Sequence, residues 1–148
     1  MILCGASLKH IQKDALLWAC RRGWMSEFLG IHHASLIVSD TERSLAFYRD
    51  LLGLTVNRER PDLSFPGAWL WVGQQQIHLL EIPNPDPVED RPRHGGRDRH
   101  LALSVQDLNL PAERLERAGI AITRSGSGRR AIFCRDPDGN ALELVEVG

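Results

Sequence analysis

His33-Ala34-Ser35-Leu36-Ile37-Val38-Ser39-Asp40 is echoed later in the chain by His100-Leu101-Ala102-Leu103-Ser104-Val105-Gln106-Asp107. In both stretches a histidine opens an apolar run, and an aspartate comes seven residues after it. The two histidines and the two aspartates share one offset of 67 residues, the mark of an internal duplication. An amphipathic segment begins after each aspartate. Leu45, Phe47, Tyr48, Leu51 and Leu52 recur at helical spacing up to Gly53, and 107–118 runs in the same way to Gly119.

Working outward, each unit reads β-α-β-β-β. The first has a strand at 31–38, a helix capped by Ser39-Asp40-Thr41, a short strand at 54–57 and a loop at 58–67. Strands at 68–72 and 76–82 then join around Gly73-Gln74-Gln75 as a hairpin. The second has strands at 99–105, 120–124, 129–135 and 140–147, with turns at Ser125-Gly126-Ser127-Gly128 and Asp136-Pro137-Asp138-Gly139. Between the units, 83–96 holds four prolines and two glycines and cannot be a regular element. The expected fold class is α+β: two tandem βαβββ modules at 29–82 and 98–148, joined by a partly mobile connector at 83–97.

Composition narrows the function. The chain has 148 residues, 43% hydrophobic, and a formal net charge of −1, an ordinary globular balance. Near-neutrality argues against a dedicated nucleic-acid or membrane-surface binder, and no apolar run reaches transmembrane length. Cys4, Cys20 and Cys134 are an odd number without a CxxC pair, so a disulfide scaffold is not expected and a cytoplasmic location is the default.

Residues 1–28 do not share the pattern of the two modules and read as an N-terminal extension. Ile2-Leu3-Cys4 is too short for a signal core, and Trp18 spoils the lipoprotein-like Leu17-Trp18-Ala19-Cys20. A natural start at Met25 is the preferred reading, which makes 1–24 non-native upstream sequence. N-terminal sequencing of protein from the native source tests it.

Strand alternation puts His33, Ser35 and Ile37 on one face of the first strand, and His100, Ala102 and Ser104 on one face of its duplicate. The greasier opposite faces belong against the helices. The histidine faces, with small neighbours, suit a concave site. His78 and Glu143 interrupt later apolar strands, 45 residues after His33 and 43 after His100. The four therefore form two pairs related by an approximate twofold. A lone histidine is more often a hydrogen-bonded core residue than a ligand, but three imidazoles and a carboxylate at duplicated positions suit a divalent metal: zinc, nickel, cobalt, manganese or iron. A buried Glu143 without a cationic partner would be costly. His32 competes with His33, but alternation and the spacing to Asp40 favour His33. His94, in the connector, is expected to be solvated, and His10 lies in the extension.

Residues 29–148 resemble the vicinal oxygen chelate (VOC) superfamily, which includes glyoxalase I, methylmalonyl-CoA epimerase, extradiol dioxygenases and fosfomycin-resistance thiol transferases. The resemblance rests on His33 with Val38-Ser39-Asp40, Ser44-Leu45-Ala46-Phe47-Tyr48 with Leu52-Gly53-Leu54, and His100-Leu101-Ala102-Leu103. Phe133-Cys134-Arg135-Asp136-Pro137-Asp138-Gly139-Asn140 with Leu142-Glu143-Leu144 completes it. It implies paired βαβββ modules around a metal, often completed across a homodimer, with ligands at His33, His78, His100 and Glu143. His78 departs from the Glu or Gln usual in the family.

Four protein ligands leave about two positions of an octahedral ion for adjacent substrate oxygens. Glu143 is the expected base for proton transfer. If the resemblance extends to glyoxalase I chemistry, the small-molecule substrate is a thiol adduct of a 2-oxoaldehyde. Trp69 and Trp71 share a strand face and are candidates to wall its pocket. Arg129 and Arg130 come after a Gly/Ser loop, as an anion-binding lid would. Three alternatives stand beside this lyase reading: a non-haem iron ring-cleaving dioxygenase, a thiol transferase, and a metal-free small-molecule binding module.

Overall fold

A computed structural model describes residues 28–148; the N-terminal expectations for 1–27 lie outside the described residues. The chain divides into a unit ending at Ile31 and a unit of His32–Gly148. Within the former, residues 28–31 form no regular element and are exposed. The latter carries the two modules.

The first module contains β1 (His33–Val38), α1 (Thr41–Leu45), β2 (Thr55–Asn57), β3 (Gly67–Val72) and β4 (Gln75–Glu81). The second contains β5 (His100–Val105), α2 (Asn109–Arg117), β6 (Thr123–Arg124), β7 (Ala131–Arg135) and β8 (Ala141–Glu146). Two four-stranded sheets result, ordered β1-β4-β3-β2 and β5-β8-β7-β6. In each, the first strand lies parallel to the fourth and the other pairs are antiparallel, so the duplication holds at the level of topology.

The repeat extends to the helix starts. Asp40 caps α1 by accepting from the Arg43 N–H at 2.7 Å. Glu81 Oε2, at the end of β4, accepts from the Thr41 N–H at 2.8 Å. Its counterpart Glu146, at the end of β8, accepts from the Leu108 N–H at 2.9 Å. Each terminal-strand glutamate thus serves donors that a helix start leaves unpaired. Beyond Leu45 the first helix widens into a π-helical turn, Ala46–Leu51, and stops at Gly53, whose φ of +81° suits a glycine.

Alternation sends Val38, Leu70, Ile77, Leu79, Ile132 and Leu144 into the core beneath the helices. Full burial of each such aliphatic side chain is worth roughly 1.5–3 kcal/mol. The β7–β8 turn ties the modules together. Tyr48 donates to Asp136, Arg43 pairs with Asp138 at 2.7 Å, and the Asn140 amide donates to the Ile37 carbonyl at 3.0 Å.

Two expectations change. The strand at 120–124 shrinks to Thr123–Arg124, because Ile120 and Ile122 pack on the core without pairing to β7. The strand expected at 129–135 begins only at Ala131. The connector itself carries charged contacts. Arg91 and Arg135 both reach Asp98, Arg99 reaches Asp86, and a 3₁₀ turn forms at Gly95–Arg97. Charged anchors supply what the missing sheet hydrogen bonds do not.

Candidate functional site

The proposed ligands lie on the sheet faces turned away from the core, and they meet in two pairs. In the first module β4 runs between β1 and β3, with Ser35 opposite His78 and His78 opposite Trp69. The His33 and His78 rings stack with centroids 4.1 Å apart, and Trp69 stacks on His78 at 4.2 Å. The middle ring is 8% exposed. His78 Nε2 lies 2.9 Å from Gln76 Oε1, and His33 Nδ1 lies 2.8 Å from His32 Nδ1. Burial, then the neighbouring His33, His32 and Arg60, holds His78 below the ordinary imidazole range, which favours the neutral, ligating form. Trp71 shares the Trp69 face but is 37% exposed.

The second module holds the tighter pair. Ala102 faces Glu143 across β5 and β8, which brings His100, two residues earlier, onto the same face. His100 Nε2 is 3.2 Å from Glu143 Oε2, and the glutamate side chain is only 4% exposed. His100 Nδ1 sits 2.9 Å from the main-chain carbonyl of Asp98. A carbonyl can only accept, so Nδ1 carries a proton and Nε2 is the ring atom turned on a carboxylate oxygen. An Nε2 lone pair there would face another acceptor, a contact that a second proton or a cation between them relieves. Arg129 compensates Glu143 partially, from 3.4 Å and a largely exposed position. The donor chemistry fits a divalent ion.

The same pair lines a cleft of about 520 Å³ whose walls include His94, Arg97, Arg124 and Arg129. Arg97 and Arg124 have no ion-pair partner among the described residues. Neither stood out in the sequence, because only folding brings the connector beside the Gly/Ser loop. Arg130 departs from its neighbour and pairs with Glu146 at 2.6 Å. His94 is not simply solvated. Its Nδ1 accepts from the Gly96 N–H at 3.1 Å, its Nε2 lies 3.0 Å from the Arg124 carbonyl, and its ring rests on Phe133.

Among the described residues, no three His, Cys, Asp or Glu side chains are grouped so as to hold a metal. His33 with His78 and His100 with Glu143 are half-sets that do not meet within the chain.

Residues 30–144 match the model of the glyoxalase/bleomycin resistance protein/dioxygenase superfamily. The chain belongs to this superfamily. Among its relatives, the protein YaeR of Escherichia coli is 37% identical over 124 residues, covering 78% of this chain and 95% of that one. A lactoylglutathione lyase of Salmonella typhimurium is 32% identical over 123 residues, covering 78% and 90%. A variant of the fosfomycin resistance protein FosX of Listeria monocytogenes, solved with Mn(II) and a dihydroxypropylphosphonic acid, has a TM-score of 0.64 at 19% identity. It covers 82% of this chain and 94% of that one, and at this identity the likeness speaks for the fold alone.

Proposed function

We propose that this protein is a divalent-metal-dependent lyase of the glyoxalase I type, working as a homodimer on a thiol adduct of a small 2-oxoaldehyde. The observation that carries the reading is the buried Glu143 carboxylate 3.2 Å from His100 Nε2, two metal-donor groups side by side that the exposed Arg129 compensates only partially. Because the two half-sets do not meet in one chain, the full set of His33, His78, His100 and Glu143 is completed when His100 and Glu143 of one copy approach His33 and His78 of another. The lactoylglutathione lyase relative supports the reaction class.

When bound, the ion supplies Lewis-acid stabilisation for the negative charge that develops on adjacent substrate oxygens. The chain's residues do the rest. Glu143 takes the proton from the carbon bearing the thioether sulfur and hydroxyl and delivers it to the neighbouring carbon, while the hydroxyl proton passes to that neighbour's oxygen. Together the two proton transfers convert the hemithioacetal into a 2-hydroxyacyl thioester without net gain or loss of atoms. Trp69 and Trp71 wall the apolar side of the substrate. Arg129, with Arg97 and Arg124, receives an anionic group at the cleft mouth; Arg130 falls outside this set.

Reconstitution with zinc, nickel, cobalt, manganese or iron, and then a methylglyoxal-plus-thiol assay, tests the proposal. Turnover with at least one metal, abolished in Glu143→Gln, is expected. Full turnover in Glu143→Gln removes the proposed base, and no turnover with any metal and thiol removes the lyase reading.

A metal-free binding module is the second reading, favoured by the parallel His33–His78–Trp69 stack, whose rings lie face to face rather than converging on a point. Absence of stoichiometric metal, with unchanged small-molecule binding in His100→Ala, would select it.

A further inference from the structure

The run His94-Gly95-Gly96-Arg97-Asp98-Arg99 leads from the connector into His100, and the lyase reading gives it no task beyond lining the cleft and placing Arg97 at its mouth. Its geometry is closely fixed. Gly95 and Gly96 pass under Phe133, where an added Cβ on either would come within 3.0 Å of that ring or its Cβ. Asp98 then sits between two guanidinium groups. Arg91 donates to its Oδ1 at 3.0 Å, Arg135 pairs with its Oδ2 at 2.9 Å, and the side chain is 9% exposed. The Arg99 N–H also donates to Oδ1, at 2.9 Å. Arg135 is itself anchored, donating to the Gly139 and Pro92 carbonyls at 2.7 Å each. The Asp98 carboxylate is therefore held from the connector on one side and from β7 on the other.

The main-chain carbonyl of this clamped residue is the acceptor for His100 Nδ1–H. Ligating histidines characteristically donate their second ring N–H to an acceptor that fixes tautomer and ring orientation. Here the acceptor is a peptide carbonyl, which cannot be tuned by substitution but can be held still by the side chain of its own residue. We propose that Asp98, clamped by Arg91 and Arg135, is the positioning residue for His100. It fixes the Nδ1–H tautomer and so keeps the Nε2 lone pair aimed at Glu143 and the ion. The inference rests on the metal-dependent reading for its purpose, but the tautomer it assigns can be read without metal.

Two measurements on the full chain test it. In ¹⁵N NMR of metal-free protein at about pH 8, above the ordinary imidazole range, His100 should show a protonated Nδ1 and an unprotonated Nε2. The signal is assigned by its loss in His100→Gln. Asp98→Ala and Arg135→Ala should shift the ring toward a mixture of tautomers, while Arg135→Lys restores part of the wild-type pattern. Competition with a chromophoric chelator should show zinc affinity falling about 10–100-fold in Asp98→Ala and Arg135→Ala, with circular dichroism confirming that both fold. Should Asp98→Ala not fold, Arg91→Ala serves in its place.

A wild-type His100 protonated on Nε2 overturns the inference, as does an unchanged tautomer in folded clamp variants. Wild-type protein that binds none of zinc, nickel, cobalt, manganese or iron but shows the Nδ1–H tautomer, lost in the variants, removes the lyase reading and leaves the positioning intact. An unchanged zinc affinity in variants with disturbed tautomers shows that the clamp does not serve the ligand, and overturns the inference too.

Discussion

Tyr48, fully buried on the first helix, donates its hydroxyl to Asp136 Oδ2 at 2.9 Å, joining the first module to the β7–β8 turn of the second. The same carboxylate accepts from the Asn140 amide at 2.8 Å, and its other oxygen accepts the Asp138 and Asn140 backbone N–H groups. Burial, the Asp136 charge and the hydrogen bond to it push the tyrosine well above its usual value, so Tyr48 stays a donor at any working pH. Tyr48→Phe removes that donor from a buried charged acceptor. The expected loss is about 1.5–3 kcal/mol of unfolding free energy, read by urea denaturation, with the denaturant slope unchanged.

Gly67 opens β3 with φ +155°, and a Cβ there would overlap the Leu79 carbonyl oxygen in the adjacent strand. Relief would move the ladder that holds Trp69 against His78. Gly67→Ala should destabilise by about 1–3 kcal/mol or more. Gly73, with φ +59° and nothing within 4 Å of an added Cβ, provides the control. Gly73→Ala should cost only the left-handed backbone term of roughly 1–2 kcal/mol. Thermal melts of the two variants compare directly.

The parts of the fold visible in the sequence are those set by local periodicity. Alternation around His33 and His100 assigned the faces that the sheets turn from the core, and the shared offset foretold two like sheets. Tertiary contacts were not visible in that way. Pro and Gly in the connector ruled out a regular element but were silent about Arg91 and Arg135, whose partner Asp98 is found only in three dimensions. Arg129 and Arg130 looked alike as neighbours, yet they reach different carboxylates, Glu143 and Glu146. The separation of His33 and His78 from His100 and Glu143 depends on how the modules pack, which no spacing encodes.

His78 supplies a pH dependence. Its folded value is depressed, chiefly by burial, below the ordinary 6.5, so the unfolded chain takes up this proton first. The contribution to stability is full above 6.5 and is lost as pH falls through the lower folded value. In metal-free protein the wild-type melting temperature should therefore fall between about pH 7.5 and pH 5, and His78→Gln should show a smaller fall. Equal falls in both proteins would assign the dependence to other groups.

Cys134 is buried in the core, and burial, with a smaller push from the Asp136 charge, drives its thiol up to about 12. The thiolate is the reactive form, so the native side chain should resist alkylation. Iodoacetamide at mildly alkaline pH should leave the Cys134 peptide unmodified by mass spectrometry until denaturant is added. Rapid labelling of folded protein would contradict the burial.

Arg129 and Arg130 separate by function in one experiment. Arg129 reaches Glu143 at 3.4 Å and competes with any cation for that carboxylate, but as a largely exposed group its pull is weak. Arg129→Ala should tighten metal binding by up to about fivefold, the equivalent of an exposed pair worth about 0–1 kcal/mol. If Arg129 also receives an anionic substrate group, the same variant should raise KM for a carboxylate-bearing thiol adduct more than for a neutral one. Arg130 pairs with Glu146 instead. Arg130→Ala should leave metal affinity and KM unchanged, with a stability loss below about 1 kcal/mol. Equal effects of the two variants on metal affinity would mean that the field of the loop, rather than the Arg129 contact with Glu143, governs the carboxylate.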